Sequence, residues 1–198
     1  MLRRKVKGER NVSEKKFSTF KVVFVGMMAA VVYVVTLFRF PFLGSKVHFA
    51  NAMCLLSGLL FGPLYGGLAA GFGSALYDGL LGGYGFDQVL ITFVSKYVMA
   101  WLCAKIAYAG DAKAEKHVRN IVACVIGALS YVVLYMAKTF VYQHFVGGVA
   151  LDATFVVMAG KLPASLINAV FAMIAAPILY TVLRPALKKA GILKKLAE

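Results

Sequence analysis

HFANAMCLLSGLLFGPLYGGLAAGFGSALYDGLL, residues 48–81, is the stretch that decides the fold. Neither half alternates apolar with polar side chains as a barrel strand would, so both halves read as helices. Gly62-Pro63 is a turn dipeptide, and it divides the stretch into one helix over Phe49–Phe61 and another over Leu64–Leu81. The first is short for a membrane span, which takes about 20 mostly apolar residues. Gly58, Gly62, Gly66, Gly67, Ala70, Gly71, Gly73 and Ala75 include several pairs four apart. Such pairs put small residues on one face, where helix backbones approach closely. A single carboxylate, Asp78, stands near the end of the second helix in an otherwise apolar setting.

Four more apolar runs flank this stretch: Val22–Phe38, Val89–Tyr108, Ile121 to about Phe145, and Ala153–Leu183. In the last of these, Lys161 and Pro163 place the start of the helix proper near Leu162, because proline is favoured in a first turn. The chain has 198 residues and is 61% hydrophobic, against about 45–50% for a soluble domain. Its mean hydropathy is +0.79. The fold expected is an all-α integral membrane protein, a six-transmembrane-helix bundle over residues 22–184. Basic tails flank it over 1–21 and 185–198. The first apolar run is longer than a signal-peptide core of about 7–15 residues, and no small-residue cleavage site follows it, so it reads as a retained helix.

Twenty-two Lys and Arg against eight Asp and Glu give a formal charge of +14. In a soluble chain that balance points to nucleic acid; here the placement points to lipid. Eight basic residues precede the first run and five follow the last: Arg184, Lys188, Lys189, Lys194 and Lys195. Six helices with the N-terminus inside make both termini cytoplasmic. Seventeen basic residues then fall on inner segments and only Arg39 and Lys46 on outer loops, as the positive-inside rule requires.

The remaining three, Lys96, Lys138 and Lys161, fall within apolar runs, as Asp78 does. A charge in a helix core costs on the order of 3 kcal/mol, so each needs a reason. Threaded through the six-helix topology, all four lie in the outer half at similar depth. Tyr84, Asp87, Gln88, Thr92, Tyr97, Tyr142, Gln143, His144 and Asn168 join them. The functional reading is an outward-facing solute pocket with a basic lining, suited to a carboxylate, a phosphate or a ring with several carbonyls. The bland reading is lysines snorkelling to headgroups, with Asp78 paired to one of them.

Enzyme classes find no support. There is no GxxxxGK[ST], and Gly82-Gly83-Tyr84-Gly85 matches a phosphate loop only in composition. No nucleophile motif is present, and Asp78 has no second acid in its helix. Cys54, Cys103 and Cys124 sit in apolar runs as packing residues, without disulfide or zinc spacing. His48, His117 and His144 lack metal-ligand spacing, and the two in loops, His48 and His117, read by default as solvated. No metal or cofactor is expected. A self-sufficient secondary transporter of a small anionic solute is the alternative. It would show repeated halves or helices broken at mid-membrane, and neither is evident.

The stretch His48–Leu81 resembles the S components of energy-coupling factor (ECF) vitamin transporters. It is most similar to the riboflavin-type branch, in its apolar run, Gly-Pro turn, Gly/Ala helix and terminal Asp. Val25-Gly26-Met27-Met28-Ala29-Ala30-Val31-Val32-Tyr33 resembles the family's first helix, and Leu162-Pro163-Ala164-Ser165-Leu166-Ile167-Asn168-Ala169 resembles the start of its sixth. The resemblance implies a bundle in a prokaryotic plasma membrane that captures a vitamin or vitamin precursor, riboflavin or another B vitamin first. It also implies docking through helix one onto a transmembrane T component driven by two ATPase subunits. The family's docking contact is an alanine pair four apart, and Gly26 and Ala30 stand in those places. The substrate-binding candidates are Asp78, Tyr84, Lys96, Lys138, Lys161 and Asn168, joined by His48 and Asn51.

Overall fold

The computed structural model describes residues 19–43 and 45–197; the expected N-terminal basic tail lies outside the described residues up to residue 18. Among the described residues, five helices are long and apolar enough to cross a membrane. They are α1 (Thr19–Leu37), α2 (Ala50–Leu80), α3 (Phe86–Ala107), α4 (His117–Phe140, continued by a π-helical stretch over Val141–Val146) and α5 (Leu151–Lys189). A short α6 (Ile192–Ala197) follows. Between α1 and α2 lies an antiparallel hairpin, β1 (Arg39–Phe42) and β2 (Ser45–His48), with Arg39 opposite His48 and Phe42 opposite Ser45. Nothing in the alternation of this segment announced strands.

α2 is broken at Gly62, whose φ of 77° and ψ of −175° interrupt the helix just before Pro63. Glycine adopts that positive φ without steric cost, and proline suits the first turn of the arm that follows. The two arms lie side by side. Ser57 Oγ donates to the Gly66 carbonyl at 2.8 Å, and Cys54 Sγ lies 3.7 Å from Ser74 Oγ. A Cβ on Gly66 would stand 2.4 Å from the Ser57 carbonyl oxygen, so the arms meet backbone to backbone. The Gly-Pro break thus folds the chain back on itself, as its sequence indicated.

Alanines make up much of the buried set, beside a few large residues such as Leu55, Leu59 and Met99. Ala52, Ala69, Ala100, Ala104, Ala123 and Ala172 are fully buried, while Val22, Met27, Phe72, Phe86, Val133 and Phe155 face outward. Lipid solvates large apolar side chains as well as a core does, so helices associate through close packing of small ones. A Cβ on Gly73 would stand 2.4 Å from the Ala29 carbonyl oxygen of α1, and one on Gly58 would stand 2.5 Å from the Ala100 carbonyl oxygen of α3. The three cysteines are buried packing residues, and Cys103 and Cys124 bring α3 and α4 together with sulfurs 3.9 Å apart.

The start expected for the last helix is corrected. α5 begins at Leu151 rather than near Leu162, and Pro163 lies in its interior along with Pro177 and Pro185. An interior proline removes one backbone hydrogen bond and crowds the carbonyl four residues earlier. In an apolar setting, however, leaving residues 151–161 unwound would orphan many more backbone groups, so the helix runs through the proline.

The two ends of the bundle differ. Lys195 lies 5.5 Å from the Phe20 ring centroid and Lys21 lies 5.5 Å from that of Tyr65. The rings of Phe24 and Phe61 are 6.3 Å apart, and Tyr108 OH donates to the Leu59 carbonyl at 3.0 Å. Arg184 pairs with Glu115 at 2.5 Å. The start of α1, the break in α2, the α3–α4 loop and the end of α5 therefore share one end. The hairpin, the Asp78 end of α2 and the Lys138 end of α4 lie at the other.

Candidate ligand-binding cavity

At the hairpin end the bundle opens into a cavity of about 520 Å³, a size typical of small-molecule sites. Every long element contributes. α1 supplies Thr36, the hairpin Arg39, Lys46 and His48, and the second arm of α2 Ser74 and Asp78. α3 supplies Gln88, Thr92 and Lys96, α4 supplies Tyr131, Tyr135 and Lys138, and α5 supplies Lys161, Ser165 and Asn168.

Lys96 forms the floor. It lies ten residues into α3, about 15 Å along the helix from Phe86, and is only 3% exposed. Its Nζ donates to Asn51 Oδ1 and sits 3.6 Å from the centroid of the Tyr131 ring. Asn51 is itself buried, does not line the cavity, and holds the ammonium from behind. A buried cation needs such contacts. Yet an amide oxygen and a ring face are both neutral, so they solvate the charge without cancelling it. Asp78 makes no direct ion pair with it, although its carboxylate is near enough to act on the ammonium. Among the described residues the one ion pair is Arg184–Glu115, at the opposite end of the bundle. The reading in which Asp78 is paired to a lysine for packing is therefore not what the fold contains.

Nearer the rim, Lys138 Nζ lies 5.7 Å and 5.9 Å from the ring centroids of Tyr84 and Tyr142. Tyr142 OH donates to the Asp87 carboxylate beside the cavity. The Arg39 guanidinium covers the Tyr77 ring at 4.6 Å. Asn168 fixes the hairpin as a third strand would: its Oδ1 accepts the His48 N–H and its Nδ2 donates to the Lys46 carbonyl, both at 2.8 Å. Ser45 Oγ and Tyr135 OH, 3.1 Å apart, tie the same hairpin to α4. His48 is partly buried rather than solvated. Burial, with the positive charges of Lys96 and Arg39, pushes its imidazole from 6.5 down to about 3, so it stays neutral at ordinary pH.

Two polar atoms of the lining, His48 Nδ1 and Ser165 Oγ, are buried without a hydrogen-bond partner. Buried polar atoms are satisfied in the great majority of cases, which makes these two exceptions at the wall of the cavity. Five cationic side chains (Arg39, Lys46, Lys96, Lys138 and Lys161) face one carboxylate, Asp78, which gives the lining a formal charge of +4.

Of the candidates read from the sequence, Asp78, Tyr84, Lys96, Lys138, Lys161, Asn168 and His48 line this cavity, and Asn51 stands behind Lys96. Gln88, Thr92, Tyr142 and Gln143 line it as well, whereas Asp87, Tyr97 and His144 do not. Sequence reasoning missed Arg39, Lys46, Tyr131, Tyr135 and Ser165. Tyr131 and Tyr135, four apart and leading to Lys138, were a readable signal; the hairpin residues carried none. Gly26 and Ala30 lie on the outward face of α1, with open space around Gly26.

Residues 16–185 match the family model for the ECF-type riboflavin transporter, S component. The solved structure reported as "Structure and mechanism of the S component of a bacterial ECF transporter" is similar in fold, with a TM-score of 0.61 at 20% identity. That similarity covers 85% of this chain and 97% of the other. No curated protein matches the sequence.

Proposed function

This chain belongs to the ECF-type riboflavin transporter S component family, and on that premise we propose that its cavity captures a vitamin or vitamin precursor, riboflavin or another B vitamin, for import. The observation that carries this reading is the polar, cation-rich cavity at one end of an otherwise apolar bundle, floored by a buried lysine. Lys96 suits the carbonyls of a dione ring, and the tyrosines around it offer flat faces for stacking.

Counted as two passes, the arms of α2 bring the crossings to six and return the chain to the end from which it started. Lys105, Lys113, Lys116, Arg119, Arg184, Lys188 and Lys189 belong to that end, which favours placing both termini in the cytoplasm and the cavity outside. The outward Gly26–Ala30 face of α1 is the surface offered to a T component, and partner ATPase subunits drive release. The chain's own task is binding, without catalysis.

The test is mass spectrometry of small molecules carried through purification of the detergent-extracted protein, followed by titration with a B-vitamin panel. A retained or tightly bound vitamin is the expected result. An empty protein that ignores the whole panel overturns the reading. Uptake by vesicles that contain this chain without ATPase partners would move it to secondary transport.

A further inference from the structure

We propose that this cavity selects an anionic ligand, a planar ring seated at the floor and bearing a phosphate or carboxylate that reaches the ring of cations at the hairpin end. The inference rests on the vitamin-site reading above and narrows its substrate class.

At the floor stands Lys96, its ammonium solvated by Asn51 and by the Tyr131 ring. The hairpin adds Arg39 and Lys46, α4 adds Lys138 and α5 adds Lys161. Lys161 is level with the hairpin tip, because a Cβ on its neighbour Gly160 would lie 3.9 Å from the Leu43 carbonyl oxygen. Two turns further along α5, Asn168 meets the other end of strand β2 at Lys46 and His48. Lys138 feels the Asp78 carboxylate first among its charged neighbours, then Lys161 and then Asp87.

A neutral ring would answer only the floor. Its entry would expel the water that screens the cations, leaving Arg39, Lys46, Lys138 and Lys161 in excess over Asp78 and the neighbouring Asp87 in a medium of lower dielectric, where their repulsion grows. An anionic substituent removes that cost and gains charge-assisted hydrogen bonds from several donors at once. Snorkelling to headgroups accounts for one lysine at a time. It does not account for cations converging from the hairpin, α4 and α5 on one cavity with a buried lysine beneath.

The experiment uses two probes with the same ring: riboflavin and its 5′-phosphate, flavin mononucleotide. Each is titrated into the purified full chain in detergent, with quenching of flavin fluorescence as the readout. The phosphate ester is expected to bind at least about tenfold tighter, the equivalent of one charge-assisted contact. That preference should shrink as KCl is raised and fall toward unity in Lys138→Gln and Lys161→Gln. Riboflavin binding as tightly as its phosphate, or more tightly, overturns the anion inference and leaves the vitamin-site reading standing. Failure of both flavins to bind a monodisperse protein overturns the inference together with the flavin reading. A preference that persists unchanged in 1 M KCl and in both variants also overturns it, since the contact would then not be electrostatic.

Discussion

The Lys96 ammonium crosses from α3 to the first arm of α2 and rests on Asn51 Oδ1, with the Tyr131 ring of α4 closing over it. Three helices are tied at one buried charge, and the two partners differ in what their loss does. Asn51→Leu strands a buried cation, so the protein should lose about 3 kcal/mol of stability. Lys96→Met removes the charge together with its desolvation cost and leaves only the neutral Asn51 amide oxygen unpaired, so stability should fall less than in Asn51→Leu while ligand affinity falls about tenfold or more. Melting temperatures and ligand titrations on the two variants check this. Equal destabilisation by both would show that the contact serves packing rather than binding.

Asn168 carries the hairpin on two 2.8 Å hydrogen bonds to the backbone of β2. Asn168→Ala leaves the His48 N–H and the Lys46 carbonyl without their protein partner, at a cost of about 1–3 kcal/mol. Amide exchange over residues 39–48 should accelerate in this variant while exchange in the cores of α3 and α4 stays slow. Uniform acceleration across the bundle would mean that Asn168 supports the whole fold and not the hairpin.

Gly73 and Gly26 make opposite demands. A methyl group at Gly73 would meet the Ala29 carbonyl oxygen at 2.4 Å and the Val32 side chain, whereas nothing lies within 4 Å of the corresponding position at Gly26. Gly73→Ala should force α1 away from α2 and cost about 1–3 kcal/mol. Gly26→Leu should leave melting temperature and ligand affinity unchanged, yet abolish ATP-driven uptake when the chain is reconstituted with its T component and ATPases. Normal uptake by Gly26→Leu would remove this face of α1 from the docking surface.

His48 gives the protein a pH limit. Its ordinary value of 6.5 is pushed down to about 3 in the folded state, so the unfolded chain takes up a proton more readily than the folded one. Stability from this residue is therefore complete above pH 6.5 and drains away as the pH falls from 6.5 toward 3, with a loss of at most about 2 kcal/mol by pH 5. The melting temperature should fall between pH 7.5 and pH 5, and His48→Gln should flatten that slope. An unchanged slope in the variant would assign the effect to other groups.

Sequence alone determined the apolar spans, the Gly62-Pro63 fold-back and the ionisable residues that an apolar helix would not carry without cause. Each is local: a run length, a turn dipeptide, a charge whose burial is costly wherever it lies. Asp78, Lys96, Lys138 and Lys161 were legible for that reason, and all four line the cavity. Tertiary structure alone decided what surrounds them. In a bilayer the face toward lipid and the face toward the core are both apolar, so hydropathy marks a span without marking its inner side. Ser165 therefore looked like an ordinary helix residue, and the i, i+4 spacing of Tyr131 and Tyr135 toward Lys138 was the one local hint on the inner face of α4. Asn51 showed no sign that it would stand behind Lys96, 45 positions away, and Asn168 bonds to a hairpin some 120 residues earlier. Proline at 163 spoke locally for a helix start, and the chain overrode it because unwound backbone has no solvent in an apolar medium. Contacts between such distant positions exist only once the helices have packed, and the cavity is made of them.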